Sequence, residues 1–260
     1  MHILFSSKNP ASANIANKLI GNWFSEKDEN TWKYGRTILI DTLVENILDV
    51  PTDFETEGIV VLSTHRSEKE YPTLTVHVPG NWNEAKMGGE PRILNTVMAS
   101  RMKEILRGLQ RGQEKYGLGW NVNMEVDHHG PTCSVPIMFV EIGSGEKEWE
   151  HPTAGKIGAE AVMGMLEAED VYDAYFCVGG GHYSQKFTKL GLGEDMRAAG
   201  HILPKYQVEN IDMDTFRQAM EKSVEQTRGI LMEKKGTNKE QKNLIEKLAK
   251  EYGAEIEYIK

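Results

Sequence analysis

The stretch Val122-Asn-Met-Glu-Val-Asp-His-His-Gly-Pro-Thr132 joins a strand-like run to a polar turn that contains two adjacent histidines. The apolar alternation over residues 122–126 predicts a strand, and Gly130-Pro131 predicts that the chain turns directly after it. Neighbouring side chains of a regular strand point to opposite faces. His128 and His129 can therefore share a task only if the backbone is irregular here, and the Gly-Pro turn predicts that irregularity.

Short apolar or β-branched runs recur along the chain and alternate with segments of helical periodicity. Strands are predicted near residues 3–5, 37–40, 59–63, 73–78, 122–126, 137–142 and 174–178, with a further one at 254–259. Helices are predicted near residues 11–23, 97–116, 155–168, 214–233 and 239–252. This alternation favours an α/β fold with a mixed, mostly parallel sheet and helices on both faces. Because no repeat or linker divides the chain, residues 1–260 are expected to form a single compact domain.

The composition is ordinary for a globular protein, with 39% hydrophobic and 27% charged residues. The apolar runs are far too short to cross a bilayer, so no membrane association is expected. Cys133 and Cys177 lie far apart in the sequence, which predicts free thiols and a reducing, cytoplasmic setting. The net charge of −9 argues against a generally basic nucleic-acid binder, although it leaves room for a local basic surface.

Two acids flank the histidine pair at the predicted end of the strand. In open α/β sheets, ligands gather beyond the carboxyl ends of the strands, where His128 and His129 are expected. Glu125 and Asp127 are close enough in sequence to orient an imidazole. The group therefore suits a general base, or a metal ligand with its supporting carboxylate. A turn in which one histidine caps backbone groups and the other is exposed fits the same pattern.

A second polar turn, Val178-Gly-Gly-Gly-His-Tyr-Ser184, also follows an apolar run. Gly179, Gly180 and Gly181 would let the backbone approach a ligand and present N–H groups to an oxyanion or a phosphate. Their spacing matches neither a dinucleotide-binding fingerprint nor a phosphate loop of the Walker type. The alternative is a flexible connection, and His182 directly after the glycines favours the functional interpretation.

Further candidate ligands follow or interrupt the predicted strands, namely His65, His77, His182, His201 and Glu141. Each histidine alone is more often a hydrogen-bonded structural residue than a ligand. However, His65, His128 and His182 all come just after strands, and parallel strands would bring those ends together. With Glu141 at the end of another strand, the set predicts a metal site of imidazoles and a carboxylate.

The sequence contains no evident covalent nucleophile. No serine stands in a Gly-x-Ser-x-Gly elbow, and Cys177 lies within an apolar strand, where an inert thiol is expected. Hydrolysis by water, activated by a neutral histidine or by a metal ion, fits these residues better than a covalent mechanism.

The predicted helix at residues 97–116 carries four basic residues at intervals of four, opposite its apolar face: Lys103, Arg107, Arg111 and Lys115. Such spacing is most often a solvated helix face. It is also the pattern of a ridge that follows a nucleic-acid backbone, where each phosphate contact adds salt-dependent affinity. Both interpretations stay open at this point.

Four motifs, taken in order, resemble the archaeal and plant type of D-aminoacyl-tRNA deacylase: Thr75-Val-His-Val-Pro-Gly80, Met124-Glu-Val-Asp-His-His-Gly-Pro-Thr132, Glu141-Ile-Gly-Ser144 and Val178-Gly-Gly-Gly-His-Tyr183. The likeness runs from the first predicted strand through His201. Its most specific part is the His-His-Gly-Pro-Thr block, whereas the chain from about Asp212 onward matches only in general character.

This resemblance implies an esterase that frees tRNA and a D-amino acid from D-aminoacyl-tRNA. Apart from the resemblance, the chain is expected to be cytoplasmic and a monomer. It further implies a zinc cofactor and a fold similar to the phosphorylase and peptidyl-tRNA hydrolase group. The catalytic candidates are His128, His129, His182 and Glu125. The metal candidates are His65, His77, His128, Glu141 and His201. The glycine loop is the candidate for an oxyanion or a phosphate, and the basic helix is the candidate for the tRNA backbone.

Two alternatives remain at the level of sequence. The first is a hydrolase of peptidyl-tRNA or of a nucleoside substrate, given the expected similarity of fold. The second is a non-catalytic module that binds tRNA or a metal.

Overall fold

The structure is a computed structural model that describes residues 1–67 and 71–259. Within these residues the strands are β1 (His2–Phe5), β2 (Ser25–Asp28), β3 (Thr31–Tyr34), β4 (Thr37–Asp41), β5 (Ile59–Thr64), β6 (Thr73–His77), β7 (Asn121–Met124), β8 (Ile137–Gly143), β9 (Asp173–Val178), β10 (Arg197–Leu203), β11 (Thr227–Glu233) and β12 (Ile256–Ile259). The helices are α1 (Pro10–Asn22), α2 (Ala99–Tyr116), α3 (Glu146–Trp149), α4 (Pro152–Glu167), α5 (Gln185–Leu192), α6 (Met213–Glu221) and α7 (Lys239–Tyr252).

The described strands form two sheets. The larger has the order β2-β3-β4-β1-β5-β8-β6-β7, and the smaller has the order β10-β9-β11-β12. All pairs of the smaller sheet are parallel. In the larger sheet, the pairs β2/β3, β3/β4 and β6/β8 are antiparallel and the others are parallel. The predicted α/β fold with mostly parallel strands is confirmed, while its division into two sheets was not predicted.

Helices α1, α2 and α4 form a layer against one face of the larger sheet, and their apolar side chains share one core with it. The other face of this sheet is covered by the segment around Ile47, Val50 and Phe54. In the smaller sheet, Cys177 faces the shared core while its neighbour Phe176 faces α6 and α7. This alternation is what a strand covered on both faces requires.

The sequence prediction was wrong for residues 214–233, which it assigned to one helix. Helix α6 ends at Glu221, and strand β11 begins at Thr227. The run Gly229-Ile-Leu-Met232 is buried because Leu231 faces the core shared with the larger sheet, while Ile230 and Met232 face α6 and α7. A strand buried on both faces is uniformly apolar, so its period does not distinguish it from a helix. Strands β2, β3 and β10 and helices α3 and α5 were also missed.

The polar candidate residues lie at strand ends that are close together in the larger sheet. His65 follows β5, and Glu141 of β8 pairs directly with Ser63 of β5. His77 ends β6, which runs antiparallel to β8, and its ring stacks on Phe139 of β8. The side chains thus meet near the middle of the larger sheet, even though one of the contributing strands runs against its neighbour.

No helix among the described residues is long and apolar enough to cross a membrane.

Helices α2 and α4 approach each other so closely that glycine is required at the contact. A Cβ atom at Gly108 would lie 2.8 Å from Cα of Ala161, and one at Gly112 would lie 2.7 Å from Cγ2 of Ile157. Because Ala161 and Ile157 are themselves buried, neither neighbour can move away without disturbing the core.

We therefore expect Gly108→Val to lower the free energy of unfolding by ~1–3 kcal/mol, since a larger side chain forces the packed helices apart. Gly164→Ala is the matched control on α4, because no atom lies within 4 Å of a Cβ there. Alanine should stabilise that helix slightly. Urea unfolding of both variants measures the difference, and equal stabilities would contradict the close packing.

Candidate active site

A cluster of imidazoles and carboxylates lies where the strand ends meet. Its members are His65, His77, Glu125, His128, His129, Glu141 and His182. Three overlapping groups within it place their ligand atoms within 4.8 Å of one another: His77 with His128 and His129, His65 with Glu125 and His182, and His77 with Glu125 and Glu141. The structure thus brings together all of the catalytic and metal-binding candidates named from the sequence except His201.

The backbone at His129 resolves how two adjacent histidines can face one site. Its φ of 49° lies in the left-handed region, which non-glycine residues rarely adopt. The chain therefore reverses between the two residues, and the ring centroids of His128 and His129 come to 4.4 Å. Strand β7 already ends at Met124, two residues earlier than predicted. The irregular backbone required by the sequence argument is present.

Backbone carbonyls fix the ring orientations of this pair. Nδ1 of His128 donates to the carbonyl of Val126 at 2.8 Å, and Nδ1 of His129 donates to the carbonyl of Gly130. Each ring is therefore left with an unprotonated Nε2, which is the form that binds a metal. Nε2 of His129 lies 3.1 Å from Nε2 of His77.

The rings of His77, His128 and His129 are neutral. Burial, followed by the neighbouring His129, lowers the pKa of His128 to about 3. Burial and the neighbouring His128 lower the pKa of His77 well below its ordinary value, and burial lowers the pKa of His129. Charging them would place positive charges side by side away from water.

Glu125 lies at the centre of the cluster and is 1% exposed. His65 Nδ1 lies 3.0 Å from its Oε1, while His182 Nε2 and His128 Nε2 lie 2.9 and 3.5 Å from its Oε2. Despite these short distances, neither carboxylate oxygen has a well-directed hydrogen bond from a described residue. The nitrogens are close enough to share a ligand with Glu125 but are not aligned to donate to it.

Opposite charges set the protonation of Glu125 and His65. Burial alone would raise the pKa of Glu125, but His182 and His65 outweigh it and hold that pKa well below its usual range. Burial alone would lower the pKa of His65, but Glu125 and Glu141 outweigh it and raise the pKa to about 11. His65 is thus a cation between two carboxylates, unlike the three neutral rings.

Two residues that the sequence analysis overlooked support this arrangement. The amide of Asn95 donates to the carbonyls of Pro79 and Pro131 at 2.8 Å each, and its oxygen accepts the N–H of Cys133. Asn95 thereby holds the turn after His129 in place, although nothing in its sequence context indicates this. Nε2 of His65 lies 2.8 Å from the hydroxyl of Tyr183, a residue within the quoted glycine motif.

Two clefts share the paired histidines as part of their lining. The larger, of about 450 Å³, is lined by His65, His182 and Glu141 and by the segment from Glu45 to Leu48. The smaller, of about 180 Å³, is lined by residues from the segments 80–87 and 204–207. His128, His129 and Met87 line both clefts.

Comparison with known proteins identifies the family. The profile of the D-aminoacyl-tRNA deacylase family matches residues 52–257. The chain belongs to the D-aminoacyl-tRNA deacylase family. The D-aminoacyl-tRNA deacylase of Pyrococcus furiosus is 37% identical, with both chains covered completely. That of Methanosarcina mazei is 44% identical over 64% of this chain and 55% of its own.

A solved structure described as a conserved protein of unknown function has the same fold. It superposes with a TM-score of 0.89 at 28% identity, covering 99% of this chain and 94% of its own. The resemblance inferred from the four motifs is therefore confirmed.

His201 does not join the cluster of this deacylase family member, so its predicted role as a metal ligand is wrong for this structure. Its Nδ1 lies 2.6 Å from Oδ2 of Asp127, and its Nε2 lies 2.9 Å from the carbonyl of Lys222. Asp127 also accepts the N–H of Ile202 at 2.7 Å. Because both ring nitrogens already have partners, His201 ties the histidine turn to β10 and has no lone pair to offer.

The glycine loop also departs from its predicted role. The N–H of Gly179 donates to the carbonyl of Leu203 at 2.9 Å and is not free for an anion. A Cβ at Gly180 would lie 3.1 Å from Oε1 of Glu233, and Gly179 is equally close to that side chain. An acidic side chain against the loop disfavours a phosphate there. Gly181 shows no such contact, since nothing lies within 4 Å of a Cβ at that position.

The basic helix face is only partly a surface. Lys103 is 1% exposed, and its ammonium donates to the carbonyls of Asp195 and Arg197. The guanidinium of Arg107 donates to the carbonyls of Gly191 and Gly193. These two side chains bind α2 to the segment before β10 and are unavailable to tRNA in this structure. Exposed positions on the predicted ridge are Arg111 and Lys115, the latter paired with Glu160 at 3.1 Å.

Removing His201 should destabilise the fold. We expect His201→Ala to lower the free energy of unfolding by ~1–3 kcal/mol, because it leaves the buried Asp127 side chain without its hydrogen-bond partner. His201→Gln, which retains an amide donor, should lose less. Urea unfolding of the two variants beside the wild type measures this, and a His201→Ala variant of wild-type stability would refute the pairing.

Lys103 makes stability depend on pH. Burial, and next the neighbouring Arg107, lower the pKa of Lys103 from 10.5 to about 8. Between these two values the unfolded chain keeps a proton that the folded chain has released, so the contribution of Lys103 to stability rises with pH. The unfolding free energy of the wild type relative to Lys103→Met should therefore increase from pH 7.5 to pH 10.

The exposed Lys247→Met serves as the control for Lys103, since its difference from the wild type should stay small at both pH values. A difference for Lys103→Met that is constant or falls with pH would contradict the assignment.

Proposed function

We propose that this chain hydrolyses the ester bond of D-aminoacyl-tRNA, releasing the D-amino acid and free tRNA, at the cluster around Glu125. Membership of the D-aminoacyl-tRNA deacylase family supports the reaction class. The observation that supports this location is the buried carboxylate of Glu125, with three imidazoles within 3.5 Å that line the larger cleft. A carboxylate that orients imidazoles beside a cleft is the arrangement of a general-base site.

The residues present fit a zinc ion. Both oxygens of Glu125 and Nδ1 of His77 are buried without a hydrogen-bond partner among the described residues, and burying polar atoms in this way costs free energy. A cation among them would remove that cost. Three neutral imidazoles are a donor set typical of catalytic zinc, and the cluster contains no cysteine.

We assign zinc binding to His77, His128 and His129. Their pKa values are lowered, so no proton competes with the metal for the ring nitrogens. A bound zinc ion acts as a Lewis acid that polarises a carbonyl oxygen and lowers the pKa of water toward ~7. This assignment moves His129 from the catalytic to the metal-binding candidates. It retains Glu141 as a supporting carboxylate 4.0 Å from Nδ1 of His77.

His182 is the general base in this proposal. Its side chain is 41% exposed in the larger cleft, so water can reach it. The carboxylate of Glu125, 2.9 Å from Nε2 of His182, favours a proton on that nitrogen, which leaves Nδ1 as the nitrogen that takes a proton from water. His65, charged between Glu125 and Glu141, balances the negative charge of the two acids.

The central prediction is stereospecific hydrolysis that depends on metal. The purified protein should deacylate D-Tyr-tRNA and leave L-Tyr-tRNA intact, and a chelator should abolish the reaction until zinc is restored. Inertness toward both esters in the presence of zinc would refute the function. Release of intact peptide from peptidyl-tRNA, with no action on the D-ester, would indicate the alternative hydrolase.

Variants separate the two groups of histidines. His182→Ala should lower kcat by ~10²–10⁴-fold while zinc content is kept, because only the proton acceptor is lost. His77→Ala should lose zinc and activity together. His151→Gln, outside the cluster, is the matched control for both. Zinc content measured by mass spectrometry, together with the deacylation rate, separates loss of metal from loss of the general base. A His182→Ala variant without zinc would contradict the assignment.

A further inference from the structure

The two clefts differ in chemistry, although they share the paired histidines. An aminoacyl ester held at those histidines has an aminoacyl half and a nucleoside half, which leave in opposite directions. Met87, 58% exposed, lines both clefts. Each cleft can therefore receive one half of the substrate.

The smaller cleft is lined by aromatic and amide side chains. Tyr206 is 54% exposed there, which is unusual for a large aromatic residue. Trp82 is buried in the wall, and its Nε1 has no hydrogen-bond partner among the described residues. Asn83 and Gln207 add half-buried amide side chains to the lining. Aromatic faces and amide groups are the groups that bind a planar nucleobase by stacking and by its edge.

Charged side chains line both clefts. Glu45, Glu141 and Arg66 line the larger cleft, and its two carboxylates suit the α-ammonium group of an amino acid. At the smaller cleft, Lys86 is paired with Glu84 at 2.8 Å. Lys205 is the exposed neighbour of Tyr206, and in the part of the chain that the structure describes it forms no ion pair. An unpaired cation beside Tyr206 suits the phosphates that precede a terminal nucleoside.

Resting on the proposed function, we propose that the smaller cleft binds the 3′-terminal adenosine of the tRNA. The base stacks on Tyr206, its edge meets the side-chain amides of Asn83 and Gln207, and the aminoacyl group occupies the larger cleft. Tyr206 is then a substrate-binding residue for the nucleoside and does not contact the amino acid.

Three substrates of decreasing size test this assignment: D-Tyr-tRNA, 3′-O-D-tyrosyl-adenosine and D-tyrosine methyl ester. Tyr206→Ala should raise KM for the first two by roughly tenfold through lost stacking, with kcat nearly unchanged. The methyl ester, which has no base, should be hydrolysed as by the wild type. Tyr206→Phe should restore KM, and Tyr258→Ala, an exposed tyrosine on β12, is the matched control.

An equal loss toward the methyl ester, or an altered preference among D-amino acids, would overturn the assignment and place the amino-acid side chain in the smaller cleft. Binding to the wild type gives an independent measurement that needs no variant. Adenosine 5′-monophosphate should perturb the NMR signals of Trp82 and Tyr206, whereas perturbation confined to His65 and Leu48 of the larger cleft would contradict the proposal. Failure of the proposed function is distinct from either result, since the wild type would then leave D-Tyr-tRNA intact.

Discussion

A single buried carboxylate sets the arrangement of the site. Taking the charge of Glu125 out of water is costly unless positive groups surround it. His65 after β5, His128 after β7 and His182 after β9 all come within 3.5 Å of it. Both sheets thus contribute to one electrostatic centre, and the chain reversals after these strands follow from the need to reach it.

Around that centre the histidines occupy two protonation states. Burial and mutual repulsion keep His77, His128 and His129 neutral, while the two carboxylates keep His65 charged. Neutral rings offer lone pairs to a metal, whereas a charged ring offers only protons. The same residue type can therefore bind a cofactor on one side of Glu125 and balance charge on the other, because the surroundings and not the sequence decide its protonation.

The sequence predicted the α/β class and most members of the cluster, since strand ends and glycine turns leave a local signal. The motifs around His128 and His182 were sufficient to identify the family. The sequence did not show that His201 lies outside the cluster. Its contact with Asp127 joins positions that are 74 residues apart, so no local pattern indicates it. Lys103 was placed on the surface by its helical spacing alone. Only the packing of α2 against the segment before β10 shows that it is buried.

The most direct test of this account is X-ray absorption spectroscopy of the zinc-loaded protein. The account predicts a first shell of nitrogen and oxygen at ~2.0–2.1 Å with the outer scattering of imidazole rings, and no zinc signal from His77→Ala. A spectrum without imidazole scattering, or a His77→Ala variant that keeps zinc with the wild-type spectrum, would contradict the claim that these histidines hold the metal beside Glu125.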